Sequence, residues 1–123
     1  MQWTEDLITA DAAVTLYGLF LQRLRRSPNQ IAYKSFERDS SSWRDFTWQD
    51  IADQIARWQA ALAKEGLHPG DRVALQLRNS PEWVVFDQAC LSLELVVVPL
   101  YTDDHPENTS YILEDADVKL LLL

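Results

Sequence analysis

The chain has 123 residues, 47% hydrophobic and 24% charged, the balance of one soluble globular domain with no room for separate substrate and nucleotide domains. Nineteen Asp and Glu against eleven Lys and Arg leave a formal charge of −8; that sign repels phosphate backbones and anionic lipid, and no nucleic acid is expected as a partner. The single cysteine, Cys90, excludes an internal disulfide and a multi-cysteine zinc site, in keeping with a reducing cytoplasm.

The opening Met1-Gln2-Trp3-Thr4-Glu5-Asp6 lacks the basic start of a secretory signal. No apolar run approaches the roughly 20 residues a transmembrane helix needs, so a cytoplasmic protein without a transmembrane segment is expected. Asp11 can cap a helix whose Leu16, Leu19, Phe20 and Leu24 recur at helical spacing, and Pro28 ends it near Ser27. Arg23, Arg25 and Arg26 suit the negative pole of that helix, with an anion site as the competing reading.

Ile31 to Phe36 alternates apolar and polar residues, and Trp43 to Trp48 is short and aromatic. With the serine-rich Glu37 to Ser42 between them, they predict a β-hairpin near the amino terminus. Thr47 and Asp50 have capping-box spacing. The helix behind them buries Ile51, Ile55, Trp58 and Leu62, with Gly66 as a left-handed stop. A turn over residues 67–72 leads to a strand over Val73 to Leu77.

Ser80 and Pro81 open a second helix that covers Trp83, Phe86, Ala89, Cys90 and Leu93. Leu95 to Leu100 reads as a strand buried on both faces. His105-Pro106 opens a third helix through Ala116, and Val118 to Leu123 forms a further strand. Strand and helix alternation predicts the α/β class, a mostly parallel sheet flanked by helices and joined by right-handed crossovers. The sheet is expected to be incomplete, since Lys119-Leu120-Leu121-Leu122-Leu123 reads as a strand lacking a neighbour; self-association through that exposed edge follows.

Asp103-Asp104-His105-Pro106-Glu107 gathers ligand-type side chains behind a strand end, where open α/β sheets bind ligands. These letters serve either a cation site at Asp103 and Asp104, on a free-standing binding or signalling module, or an acidic helix entrance. A receiver-type site does not fit, because the acidic pair follows the penultimate strand. Gly18, Gly66 and Gly70 are scattered and write neither a dinucleotide fingerprint nor a phosphate loop. His68 reads as a turn residue and Cys90 as an inert buried thiol. No catalytic, cofactor-binding or metal residue is assigned.

Gly66-Leu67-His68-Pro69-Gly70-Asp71-Arg72-Val73-Ala74, Asn79-Ser80-Pro81-Glu82-Trp83 and Val96-Val97-Val98-Pro99-Leu100-Tyr101 follow one another in register. Together with Phe46-Thr47-Trp48 and Tyr111-Ile112-Leu113-Glu114-Asp115-Ala116 they resemble the N-terminal part of AMP-forming acyl-CoA synthetases, the adenylate-forming ligase superfamily. Pro99-Leu100-Tyr101 and Ser42-Trp43-Arg44-Asp45-Phe46 look most like the long-chain fatty-acid branch. Glu94-Leu95 departs from the pattern, which places a glycine and a small residue between helix and strand.

The resemblance implies that residues 1–123 are the first part of the large N-terminal domain of such an enzyme. The intact protein would use a fatty acid, ATP, Mg2+ and coenzyme A, and this stretch would be inactive by itself. The family's phosphate loop, its adenine and ribose contacts and its C-terminal lysine have no matching position here. Asn79, Trp83 and Tyr101 are therefore taken as scaffold.

Overall fold

A computed structural model describes residues 6–123; the Met1 to Glu5 part of the opening segment read for a leader lies outside them. The elements run α1 (Ala10–Ala13), α2 (Leu16–Arg26), β1 (Ile31–Glu37), β2 (Ser42–Thr47), α3 (Trp48–Leu62), β3 (Arg72–Leu75), α4 (Pro81–Ser92), β4 (Val96–Pro99), α5 (Pro106–Asp115) and β5 (Val118–Leu122). Two compact units divide the chain inside α3, one ending at Asp53 and the other starting at Gln54. The α/β class stands, with a two-stranded antiparallel hairpin and a three-stranded parallel sheet.

In the first unit, Asp11 does not cap the long helix. Thr9 and Thr15 each accept a backbone N–H, from Ala12 and Gly18, and they start two helices where one was expected. A threonine oxygen three residues ahead of a free N–H satisfies it locally, which leaves Asp11 in the first turn of α1 as a favourable charge only. The break between the helices is Val14, at φ 65°. Gly18 lets α1 lie against α2, because a Cβ there would stand 1.8 Å from the Ala13 carbonyl oxygen.

β1 and β2 pair antiparallel, with Phe36 opposite Trp43 and Lys34 opposite Asp45. The Phe36 and Trp43 rings meet edge to face at 5.4 Å, and Lys34 Nζ lies 2.9 Å from the Asp45 carboxylate. Phe46 turns inward and is buried, with the Arg44 guanidinium 4.8 Å from its ring centroid. The hairpin hands over to α3 through the capping box: the Asp50 N–H donates to Thr47 Oγ1 at 3.1 Å and the Thr47 N–H to the Asp50 carboxylate at 2.9 Å. The next two free donors, Trp48 N–H and Gln49 N–H, reach the Gln30 and Pro28 carbonyls. Trp48 thus begins the helix instead of ending the strand.

In the second unit Ile55 and Leu62 are buried, and Trp58 meets Phe86 edge to face at 5.2 Å. α3 closes at Leu62; tight turns carry the chain on to Gly66, which takes the left-handed φ of 68° four residues later than the helix end. β3 is the middle strand of the order β4-β3-β5 and is parallel to both neighbours. Its Val73, Ala74 and Leu75 are fully buried, as a strand covered on both faces should be. It stops two residues short of the expected Leu77.

β4 differs from expectation in burial. It lies at a sheet edge among the described residues, so Val96 is 48% exposed and Pro99 is exposed too; Leu95 and Leu100 flanking it are buried. From β3 the chain crosses to β4 on one side, and from β4 it crosses back past β3 to β5. With right-handed crossovers, that reversal sets α4 and α5 on opposite faces of the sheet. Glu94, where the motif resemblance expects glycine, sits at φ 59°; its carbonyl accepts the Gly70 N–H at 2.8 Å.

Candidate functional site

Adjacent parallel strands whose following loops leave to opposite faces part those loops, and the crevice beyond their carboxyl ends is where open α/β sheets bind ligands. β3 and β4 are such a pair. A cleft of about 770 Å³ opens there, lined by Leu77, Arg78 and Asn79 after β3, Trp83 from the first turn of α4, Pro99 at the end of β4 and Leu100 to Asp103 after it.

The two loops are tied to one another. The Leu100 N–H donates to the Leu75 carbonyl at 2.9 Å and Gln76 Nε2 to the Tyr101 carbonyl at 3.0 Å, while the Gln76 N–H reaches the Leu122 carbonyl at 2.9 Å. Ser80 Oγ accepts the Trp83 N–H and Pro81 fills the first helical position, so the start of α4 is fixed beside the cleft. Arg78, Asn79, Thr102 and Asp103 present polar ends to solvent, and Tyr101 is 85% exposed. One guanidinium, one amide, one phenol and an indole edge can hold a flat, polar or anionic group. Among the described residues, no histidine, cysteine or serine that could act as nucleophile or base lines the cleft.

Asn79, Trp83 and Tyr101, which read as scaffold in the sequence, thus line one cleft. Arg78 and Thr102 carry no motif of their own. Their only sequence signal is position, one to three residues past the end of a buried or half-buried apolar strand.

The acidic loop resolves as a helix entrance. Asp104 accepts from the Asn108 side chain at 2.9 Å and from the His105 N–H at 2.8 Å. The Asn108 bond first, then the His105 N–H, hold its carboxyl below the usual range. His105 is the N-cap of α5 and makes no side-chain capping bond. Among the described residues no three His, Cys, Asp or Glu side chains come together as an all-protein metal cage would require.

The remaining sequence candidates lie elsewhere. His68 Nδ1 is 3.8 Å from the carboxylate of Asp71, whose Oδ2 also accepts the His68 N–H within the turn before β3. Cys90 is buried, and burial, then the Asp87 charge, push its thiol up to about 12. Arg23 and Arg26 are engaged by the chain's own oxygens at Asp6 and Leu7. No helix among the described residues is long and apolar enough to cross a membrane.

Comparison with known proteins gives the same assignment from three directions. The family described as AMP-binding enzyme matches residues 20–123. A probable CoA ligase, CCL6 of Humulus lupulus, is 34% identical over 74 residues, covering 60% of this chain and 11% of that protein. The long-chain-fatty-acid–CoA ligase FadD15 of Mycobacterium tuberculosis is 29% identical over 104 residues, 85% of this chain and 17% of the other. A component of the mycosubtilin synthase of Bacillus subtilis is 33% identical over 109 residues, 89% of this chain but 4% of that protein.

Among solved structures, the N-terminal subdomain of Klebsiella oxytoca NpsA superposes with a TM-score of 0.76 at 25% identity, over 87% of this chain and 26% of that one. The N-terminal domain of FACL13 from Mycobacterium tuberculosis gives 0.75 at 28% identity, over 85% and 25%. The chain spans between 4% and 17% of the length of these curated relatives. The strings that lie in register from Gly66 to Tyr101 fall on the turn, strand and helix order of that fold, and with nearly the whole sequence matched, this chain belongs to the AMP-binding enzyme family.

Proposed function

We propose that this chain is the first part of the large N-terminal domain of an ATP-dependent long-chain fatty acid–CoA ligase. The observation that carries the reading is the register of its motifs on β3, α4 and β4 within a family match reaching from residue 20 to residue 123. Relatives bearing the long-chain ligase name support the acyl class.

In such an enzyme a fatty-acid carboxylate oxygen attacks the α-phosphorus of ATP, and the α–β bridging oxygen leaves with pyrophosphate. The thiolate of coenzyme A then attacks the acyl carbon of the adenylate and AMP departs. Mg2+ supplies charge neutralisation to the polyphosphate when bound. What this chain contributes is the crevice wall beside β3 and β4, with Arg78 and Asn79 as donors. The chain by itself is inactive, since its three scattered glycines, Gly18, Gly66 and Gly70, write no phosphate-cradling loop.

The sole, buried Cys90 suits a cytoplasmic site of action. The outer edge of β5 pairs with no strand among the described residues, and self-association of the isolated chain through it belongs to the same proposal.

Palmitate-dependent ATP–pyrophosphate exchange tests the reading, measured on these 123 residues and on the product of the complete reading frame that contains them. Exchange is expected from the second and not from the first. Exchange by the complete protein that responds to an amino acid and not to palmitate would overturn the long-chain acyl reading. Turnover by the 123 residues alone would overturn the inactive-segment part of the proposal.

A further inference from the structure

A γ-turn with positive φ is a rare and strained way to turn a chain. Here it falls on a β-branched residue. Val14 has φ 65° and ψ −48°, the Thr15 N–H donates to the Ala13 carbonyl at 2.7 Å, and the valine side chain is 83% exposed, so packing does not repay the strain. On the amino-terminal side of the turn, Asp6 to Ala13 is held by side chains of α2. Arg23 donates to the carboxylate and the carbonyl oxygen of Asp6, Arg26 to the Leu7 carbonyl, and Gln22 Nε2 to the Ala12 carbonyl at 3.2 Å.

An apolar groove of about 580 Å³ lies between the two runs, with Ile8, Ala10 and Ala13 on one wall and Leu16 and Leu19 on the other. Of Asp6 to Ala13 only Ala13 is buried. The ties are exposed, where each ion pair or hydrogen bond competes with water and salt.

We infer that Asp6 to Ala13 form a strap that swings about Val14, seated in the structure described and open when Arg23 and Arg26 release it. Opening separates the groove walls and uncovers the buried Ala13, while Leu16 and Leu19 on the facing wall are already 67% and 42% exposed with the strap seated. Gly18 makes the seated state possible, because any Cβ at that position would strike the Ala13 carbonyl.

Hydrogen exchange read by mass spectrometry on the full chain tests this. Arg23→Gln with Arg26→Gln should speed exchange across Ala12 to Thr15, the amides of the strap's end and its hinge, by roughly tenfold, given exposed ties of modest strength, while the β1–β2 hairpin and β3 keep their rates. Val14→Gly, which accepts positive φ without strain, should slow exchange in that segment. If the double variant also loses hairpin protection, the unaltered chain in about 0.5 M salt gives the reading, since such salt screens exposed pairs. Acceleration confined to the strap then supports the inference. Uniform acceleration, none at all, or a faster strap in Val14→Gly overturns it.

Discussion

Glu94 shows how a residue with a side chain can hold a turn at which the family resemblance expects glycine. At φ 59° it occupies left-handed space, which costs a residue with a Cβ about 1–2 kcal/mol, and the strain persists because the Gly70 N–H and Leu95 N–H bonds fix the turn on both sides. Glu94→Gly removes the strain and returns some of the gain as unfolded-chain entropy. A net stabilisation of about 0.5–1 kcal/mol is expected, read as a higher urea midpoint; a lower midpoint would mean that the glutamate side chain compensates. The sequence flagged this position because a glycine was missing from it, so here the departure itself was legible.

Cys90 gives a second test at the same scale. Burial, then the Asp87 charge, raise its thiol from 9.0 to about 12, so at pH 8 the thiolate is about a thousandfold scarcer than in the unfolded chain. A thiol reagent should therefore be ignored by the native protein and react at once in denaturant. Linkage follows the same sign. The folded state holds this proton more tightly, so the contribution is complete below pH 9.0 and is lost as pH rises from 9.0 towards about 12. Stability should fall across that window, and Cys90→Ala should flatten the fall.

Elements were read well where their ends are written locally. The Thr47–Asp50 box and the Ser80–Pro81 entrance each need only three or four consecutive residues, and both were visible without the fold. Thr47→Ala should cost about 1 kcal/mol in a denaturant titration. Hydrogen bonds to the Thr47 N–H and then to its hydroxyl lower the Asp50 pKa. The box therefore contributes fully above the unfolded value of 3.8, and its contribution is lost as pH falls through the depressed folded value. Asp50→Asn should remove that acid dependence.

The sequence misleads where three local signals compete. Thr9, Asp11 and Thr15 all suit a cap, and only the close approach at Gly18 decides that a second helix begins. Gly18→Ala gains helix propensity of about 1 kcal/mol yet must displace the Ala13 carbonyl. Faster exchange in α1 and its flanks, with α2 retained by circular dichroism, is the expected result.

For the whole molecule, the order of helices and strands gave the α/β class, but the order of strands across the sheet could not be read along the chain. β4-β3-β5 is a non-local fact. It alone brings Arg78, Asn79, Trp83 and Tyr101 to one cleft, and that is why motif residues that read as scaffold face a cleft. Arg78→Ala with Tyr101→Ala should leave thermal unfolding within about 0.5 kcal/mol, as exposed positions usually do, while lowering palmitate-dependent exchange in the complete protein. The edge placement of β4 has the same origin, since apolar composition alone does not say which strands have neighbours.

Because the middle strand is made before both of its partners, its pairing is delayed during synthesis. Arg72 finds Val118 only when some 46 further residues have been added, which at ribosomal rates of about 5–20 residues per second leaves Val73 to Leu75 open on one side for roughly 2–9 s. Any nascent-chain chaperone that binds short aliphatic stretches has that interval in which to act, and slowing translation just after codon 100 should lengthen it.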